Sequence, residues 1–239
     1  MLITGANGML GKSLLKVFPQ STLLNGRKDL DLTNIEETHK WFDGKHFDVI
    51  IHCAAFTDIK YCEENPEKAR MLHSEVVDTL CKHCKKFIYI STNPSNNTEI
   101  YYLTKYEGEI RTLLNSPTNL VIRTNIYGKG GIVEWALNEV KNNKEINGYT
   151  EVYFNAIHVQ QLSNIIKSNL HLKGLISVAG DYNLSKYNFL MMVIAYLNLN
   201  TDLIKPQPTP KSNLSINLGP SDFSCTLFEG LNHLKKDYE

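Results

Sequence analysis

Tyr101 and Lys105 stand four residues apart in YYLTKYEGE, so a helix through them puts a phenol and an ammonium group on one face. A cation beside a phenol lowers its pKa and suits it to trade a proton with a carbonyl or alcohol while hydride moves. Just upstream, the apolar run FIYIS ends at Ser91-Thr92, where a hydroxyl can hydrogen-bond the same substrate oxygen. The spacing YxxxK alone is common by chance. It becomes specific when it follows a strand-end hydroxyl and a glycine turn, in that order.

The turn lies at the other end of the chain, in Thr4-Gly5-Ala6-Asn7-Gly8-Met9-Leu10-Gly11. Glycine at Gly5, Gly8 and Gly11 permits a tight bend, close approach of backbone to a diphosphate, and close helix–strand packing. Asn7, Met9 and Leu10 fill the same turn, and the helix that follows offers free N–H groups and its positive dipole end to phosphates. The next strand ends as Leu24-Asn25-Gly26-Arg27-Lys28, with no acid at its tip to hold ribose hydroxyls. Arg27 and Lys28 can instead pair with a 2′-phosphate, which favours NADP(H) and leaves NAD(H) open. Solvated surface cations are the competing reading.

These groups need a scaffold that brings strand ends together. Strands are expected at Met1–Thr4, Thr22–Leu24, Val49–Ala54, Phe87–Ser91, Leu120–Thr124 and Leu175–Ala179. Helical periodicity fills the intervals near Leu10–Phe18, Ile35–Phe42, Pro66–Lys82, Leu103–Leu114, Ile132–Asn142 and Val159–His171. Continuous apolar strands such as VIIHCAA, alternating with helices, specify an α/β fold of the Rossmann type, a doubly wound parallel sheet. After Gly180 the pattern changes: an apolar helix at Tyr187–Leu197, a proline-punctuated stretch at Lys205–Lys211 and a last helix near Cys225–Lys236. The expected domains are a dinucleotide-binding domain over 1–180, partly substrate-facing at 127–147, and a small substrate lobe over 181–239.

With 25 basic and 25 acidic residues the overall charge cancels, which disfavours a nucleic-acid surface. No apolar run approaches the roughly 20 residues of a membrane span, and MLITGANGML lacks the features of a secretion signal, so a cytoplasmic location is the expectation. Five scattered cysteines do not suggest a disulfide framework. Cys81 and Cys84 form a CxxC without a second ligand pair, so no metal is expected; VVDTLCKHCKKF reads as a helix with Leu80, Cys81 and Cys84 on one apolar stripe.

The motifs LITGANGMLG, GRKDLDLTN, DVIIHCAAFTDIKYCEENPEKA, ISTN, YYLTKYEGE, VIRTNIYG, IHVQQL, GLISVAGDYNLSKYNF and PKSNLS run nearly the whole length. Through them the chain resembles the extended short-chain dehydrogenase/reductases, most nearly the nucleotide-sugar 4-ketoreductases of the dTDP-4-dehydrorhamnose reductase type. The resemblance implies Asp31 and Leu32 beside the adenine, and Cys53, Ala54 and Ala55 beside the diphosphate and nicotinamide ribose. It implies a triad of Thr92, Tyr101 and Lys105, with Thr124 lining the nicotinamide end. The implied reaction is NADPH-dependent reduction of a nucleotide-linked 4-keto-6-deoxyhexose, with a homodimer left open.

The chain departs from that family's pattern on the substrate side. Only NPSNNTEI separates Thr92 from Tyr101, where the family has a loop of some twenty residues or more; Tyr102 replaces a glycine, and His73 stands where an asparagine supports a proton relay. Gln161 replaces an aspartate, and Asn155-Ala156 a proline-containing segment. A second reading is therefore a cofactor-binding protein without turnover, as in the regulatory subunit of methionine adenosyltransferase, which resembles the same family. Asn93-Pro94, in place of an Asp-Glu pair, counts against a dehydratase. Among the remaining residues, His52, Trp41 and Trp135 read as packing, Glu63 and Glu64 as the solvated start of a helix with Pro66 in its first turn, and Lys129 as a solvated loop cation. Tyr127 and Gly128 are candidates for the substrate cleft.

Overall fold

The computed structural model describes residues 1–93, 98–208 and 221–239. Residues 94–97, half of the shortened loop, and 210–215, the PKSNLS motif, lie outside the described residues. The strands β1 (Leu2–Thr4), β2 (Thr22–Leu24), β3 (Phe47–His52), β4 (Cys84–Ser91) and β5 (Leu120–Thr124) pair in parallel. With β10 (Gly174–Gly180) and β13 (Phe223–Cys225) they form a seven-stranded sheet in the order β13-β10-β5-β4-β3-β1-β2. β1 lies between β2, at the edge, and β3, so the chain runs out to β2 and then crosses back over β1 to β3, β4 and β5. This is the doubly wound α/β order expected from strand–helix alternation.

Two compact units divide the described residues. The first comprises Met1–Thr92, residues 98–123 and Ser163–Ile176. Its helices are α1 (Met9–Val17), α2 (Ile35–Phe42), α3 (Ile59–Glu64), α4 (Pro66–Arg70), α5 (Val76–Lys82) and α6 (Ile100–Asn115). Local chemistry starts several of them. Asn34 caps α2 by accepting from the Glu37 N–H at 3.2 Å, Asp58 caps α3 through the Tyr61 N–H at 3.1 Å, and Pro66 opens α4. Leu2, Phe42, Ile50, Val76, Leu80 and Phe87 are fully buried in its core, each stabilising it by about 1.5–3 kcal/mol.

The second unit takes in Asn93, Thr124–Leu162 and the described residues after Ser177. It contains three two-stranded ladders, β6 (Ile126–Tyr127) with β9 (Ile157–His158), β7 (Ile146–Tyr149) with β12 (Ile204–Gln207), and β8 (Tyr153–Phe154) with β11 (Leu184–Ser185). Helices α7 (Gly131–Lys141), α9 (Lys186–Tyr196) and α10 (Leu227–Tyr238) close its core around Val133, Phe189, Val193 and Leu234. Helix α8 (Val159–Ser168) begins in this unit and ends in the first. Among the described residues no helix is long and apolar enough to cross a membrane.

Two expected helices are corrected. The span Pro66–Lys82 is not one α-helix; a π-helical turn over Met71–Glu75 separates α4 from α5. The widened turn is held by contacts to residues far along the chain, which hydrophobic periodicity does not register. Cys84 does not share the Cys81 stripe either. The His83 N–H closes α5 on the Leu80 carbonyl at 3.1 Å, and Cys84 opens β4 in register with Phe47. Strand pairing captures the residues that helical spacing alone would have continued.

Candidate active site

β1 delivers the glycine turn as three fully buried residues. Gly5 has φ +65°, and a Cβ there would lie 2.7 Å from the Ala54 nitrogen. A Cβ on Gly11 would enter the Gly5 carbonyl and the Ala6 backbone. Glycine is thus required at both places by close backbone approach. His52, at the end of β3, braces the turn: its Nδ1 accepts from the Thr4 hydroxyl at 2.8 Å and its Nε2–H donates to the Leu72 carbonyl at 3.2 Å. Burial pushes this imidazole down to about 3, so it is neutral and structural, as its place in an apolar strand suggested.

Beside the turn is a groove of about 240 Å³. Gly5 and Gly8 form one wall, Arg27, Asp31 and Leu32 another, and Cys53, Ala54, Ala55 and Phe56 a third. Asn7, Met9 and Leu10 do not line it; Leu10 is 4% exposed and packs in the core. α1 starts at Gly8 without a side-chain cap and with no acidic residue in its first turn, an arrangement suited to an anion. The Asp31 carboxylate accepts from the Thr33 N–H and hydroxyl, at 3.0 and 2.7 Å, which fixes its orientation. The Arg27 guanidinium lies 5.4 Å from the Phe56 ring centroid on the groove's rim. Glycine cradle, uncapped helix start and rim cation fit a phosphate-bearing dinucleotide.

In the same unit, Thr92 hydrogen-bonds the Tyr101 phenol. Lys105, one turn further along α6, is 3% exposed; its Nζ donates to the Ile90 carbonyl at 2.7 Å and lies 4.2 Å over the Tyr89 ring. Burial pushes Tyr101 up to about 12 and Lys105 down to about 7. This corrects one electrostatic expectation: Thr92, not Lys105, is the group that lowers the Tyr101 pKa, and burial outweighs it. Thr124, the last residue of β5, is buried and belongs to the other unit.

Several residues that hold α6 in place escaped the sequence reading. Glu109 is buried; its Oε1 accepts from the Ser91 hydroxyl at 2.5 Å, and its Oε2 accepts from Arg123 Nη2 at 2.6 Å. A carboxylate one turn beyond Lys105 on the same face was the available signal. Glu63 is exposed, as expected, but lies in the last turn of α3 rather than at a helix start, and it accepts the Ile100 N–H of α6 at 2.6 Å. Gly108 lets α6 approach the His73 carbonyl and the Tyr89 ring, where a Cβ would collide. His73 itself is fully buried, with its imidazole hydrogen-bonded to Thr104 and to the Phe56 N–H.

In the second unit, Gln161 accepts the His158 N–H at 3.0 Å and donates to the Thr226 carbonyl at 3.1 Å, a structural tie between α8 and α10. Asn155 accepts the Gly180 N–H at 2.7 Å, and the Ala156 carbonyl accepts from the Tyr182 hydroxyl. Tyr127 is a core residue, 2% exposed with its ring edge-on to Phe189, rather than a cleft wall. Lys129 donates to the Asp237 carbonyl at 3.0 Å, and Trp135, expected to pack, is 46% exposed.

A family model described as the RmlD substrate binding domain matches residues 1–218. The chain is 27% identical over 154 residues to a dTDP-4-dehydrorhamnose reductase of Mycolicibacterium smegmatis, a match covering 55% of this chain and 46% of the relative, about half its length. It is 25% identical over 249 residues to methionine adenosyltransferase 2 subunit beta of Rattus norvegicus, covering 86% of this chain and 74% of that one. The crystal structure of dTDP-4-dehydrorhamnose reductase from Bacillus anthracis in complex with NADP aligns with a TM-score of 0.83 and 24% identity, over 99% of this chain and 97% of that one. At that identity the structural likeness is one of fold.

Proposed function

The chain belongs to the RmlD substrate binding domain family, and on that premise we propose that it reduces a nucleotide-linked 4-keto-6-deoxyhexose with NADPH. The observation that carries this reading is the Thr92–Tyr101 hydrogen bond on a helix that buries Lys105 one turn later. A cofactor-binding protein without turnover has no physical need for all three groups. The names of the reductases it resembles support the same reading.

Gly5, Gly8 and Ala54 would face the diphosphate, Asp31 and Leu32 the adenosine end, and Arg27 a 2′-phosphate. When bound, the reduced nicotinamide supplies hydride to the keto carbon. Tyr101, with its pKa raised by burial, keeps its proton at neutral pH and gives it to the developing alkoxide as general acid. Thr92 orients the keto oxygen against that phenol. Lys105, buried with its Nζ on the Ile90 carbonyl, would hold the nicotinamide ribose hydroxyls.

Purified protein mixed with NADPH and a panel of nucleotide-4-ketosugars should oxidise the cofactor with at least one of them. The similarity to the methionine adenosyltransferase subunit favours one alternative, a dinucleotide-binding regulatory protein. NADPH binding with no oxidation by any of these sugars decides for that alternative.

Arg27→Ala should weaken NADPH about tenfold while changing NADH affinity less than about twofold, because the lost charge-assisted contact exists only with the 2′-phosphate. Calorimetry with both nucleotides reads the difference; equal losses would remove Arg27 from the phosphate site.

A further inference from the structure

His73 occupies the middle of the π-helical turn, and three of its groups reach three different elements. Its Nε2 accepts the Phe56 N–H at 3.0 Å, in the segment after β3 that walls the dinucleotide groove. Its Nδ1 lies 2.8 Å from the Thr104 hydroxyl oxygen on α6. That hydroxyl donates its own hydrogen to the Ile100 carbonyl at 2.7 Å, so the oxygen is left to accept from His73. The His73 carbonyl accepts from the Tyr89 hydroxyl at 2.6 Å on β4, next to the closest approach of α6 at Gly108.

The donors and acceptors leave a single protonation state. A backbone N–H on Nε2 requires a bare nitrogen there, and the hydroxyl oxygen of Thr104 then takes the proton on Nδ1. The surroundings agree. Lys105 of α6 and His52 of β3 face the ring, Tyr89 of β4 holds the carbonyl behind it, and Tyr101 of α6 meets it edge-on with ring centroids 5.8 Å apart. Burial together with the Lys105 charge pushes the imidazole down to about 2. A ring with both nitrogens committed has no lone pair or proton free to pass along.

We propose that His73 is a positioning residue and not a proton relay: as a neutral Nδ1–H imidazole it ties the groove wall at Phe56 to Thr104 on the helix that carries Tyr101 and Lys105. The π-turn provides this reach, because its widened backbone brings the His73 carbonyl to Tyr89 and its side chain between two other elements. The kinetic part of this inference rests on the reductase reading above; the tautomer and binding parts do not.

The two arms separate by substitution. Asn places its amide near the Nδ1 position and keeps the Thr104 arm; Gln places its amide near Nε2 and keeps the Phe56 arm. His73→Asn should weaken dinucleotide binding about tenfold with kcat within about threefold of the parent. His73→Gln should leave binding within about twofold and lower kcat about ten- to a hundredfold, as expected for a helix misplaced by a fraction of an ångström to an ångström. Thr104→Val, which preserves shape, should follow His73→Gln.

Nitrogen-15 NMR of the parent should show one imidazole held as the Nδ1–H tautomer from about pH 5.5 to 8, a range in which an ordinary histidine titrates. A His73 ring that titrates there, or variants that lose binding and kcat in the same proportion, would overturn the proposal. A locked tautomer and the split in binding, in a protein that turns over no ketosugar, would instead overturn the reductase reading and leave the tie in place.

Discussion

Tyr101→Phe should lower turnover of a nucleotide-4-ketosugar by about 10²–10⁴-fold, the range contributed by a positioned general acid, while NADPH affinity stays within about twofold. The phenol hydroxyl bonds Thr92, and the groove that fits the dinucleotide is lined by other residues. Phenylalanine keeps the ring, and with it the edge-on contacts to His73 and Tyr102, so the helix should hold its place. Because burial already places this pKa near 12, the parent enzyme should not lose activity through Tyr101 ionisation at any pH below about 10. Stopped-flow hydride transfer beside calorimetric NADPH binding reads both quantities. Parent-like turnover in the variant would remove Tyr101 as the acid.

Lys105→Met should produce the largest change in stability, and its sign follows from linkage. The ordinary lysine value of 10.5 applies to the unfolded chain, and the folded value is about 7. Between those values the unfolded state binds more protons than the folded state, so stability rises with pH across that window. Below about pH 7 the lysine is charged in both states and the full cost of burying the charge is present. A shift of this size corresponds to a few kcal/mol, in order of magnitude. In denaturant titrations the stability of the parent relative to Lys105→Met should therefore rise from about pH 7 to 10, and Lys105→Met should be the more stable protein near pH 6. Turnover should fall with the same substitution, since the buried ammonium group held at the Ile90 carbonyl, proposed above to hold the nicotinamide ribose, is lost. Two chains with superimposable pH profiles would show that Lys105 stays protonated in the fold. Burial also raises the Cys53, Cys81 and Cys84 thiols, which slope the other way. The comparison cancels Cys81 and Cys84, whereas Cys53, which the Lys105 charge holds lower than burial alone would, rises further in the variant.

The strand–helix order was legible because it is written locally. Period-2 and period-3.6 apolarity placed β2, α2 and β5 at Thr22–Leu24, Ile35–Phe42 and Leu120–Thr124, the observed bounds. Gly5 and Gly11 were legible because a tight turn before a helix calls for glycine at that spacing, and the space each leaves empty is filled by Cys53 and Ala54, just past β3, and by the turn's own Gly5 and Ala6. Tyr101 and Lys105 were legible because four residues on a helix make one face. Their pKa values were not, since these depend on burial rather than spacing: both residues follow desolvation, and Lys105 ends on the Ile90 carbonyl instead of on the phenol.

By itself the sequence determined the alternation that winds the sheet, the turn that leaves room for a phosphate, and the helix face that carries both a phenol and an ammonium group. Only the tertiary structure decided what holds that face still. Glu63 reaches Ile100 across 37 positions, His73 reaches Thr104 across 31, and Ser91 meets Glu109 across 18. It also decided that the second unit gathers residues from separate stretches of the chain. The physical reason is common to all of these. Periodicity reports which way a side chain faces within its own element, whereas a hydrogen bond between elements exists only once the packing has set their distance and angle to a few tenths of an ångström.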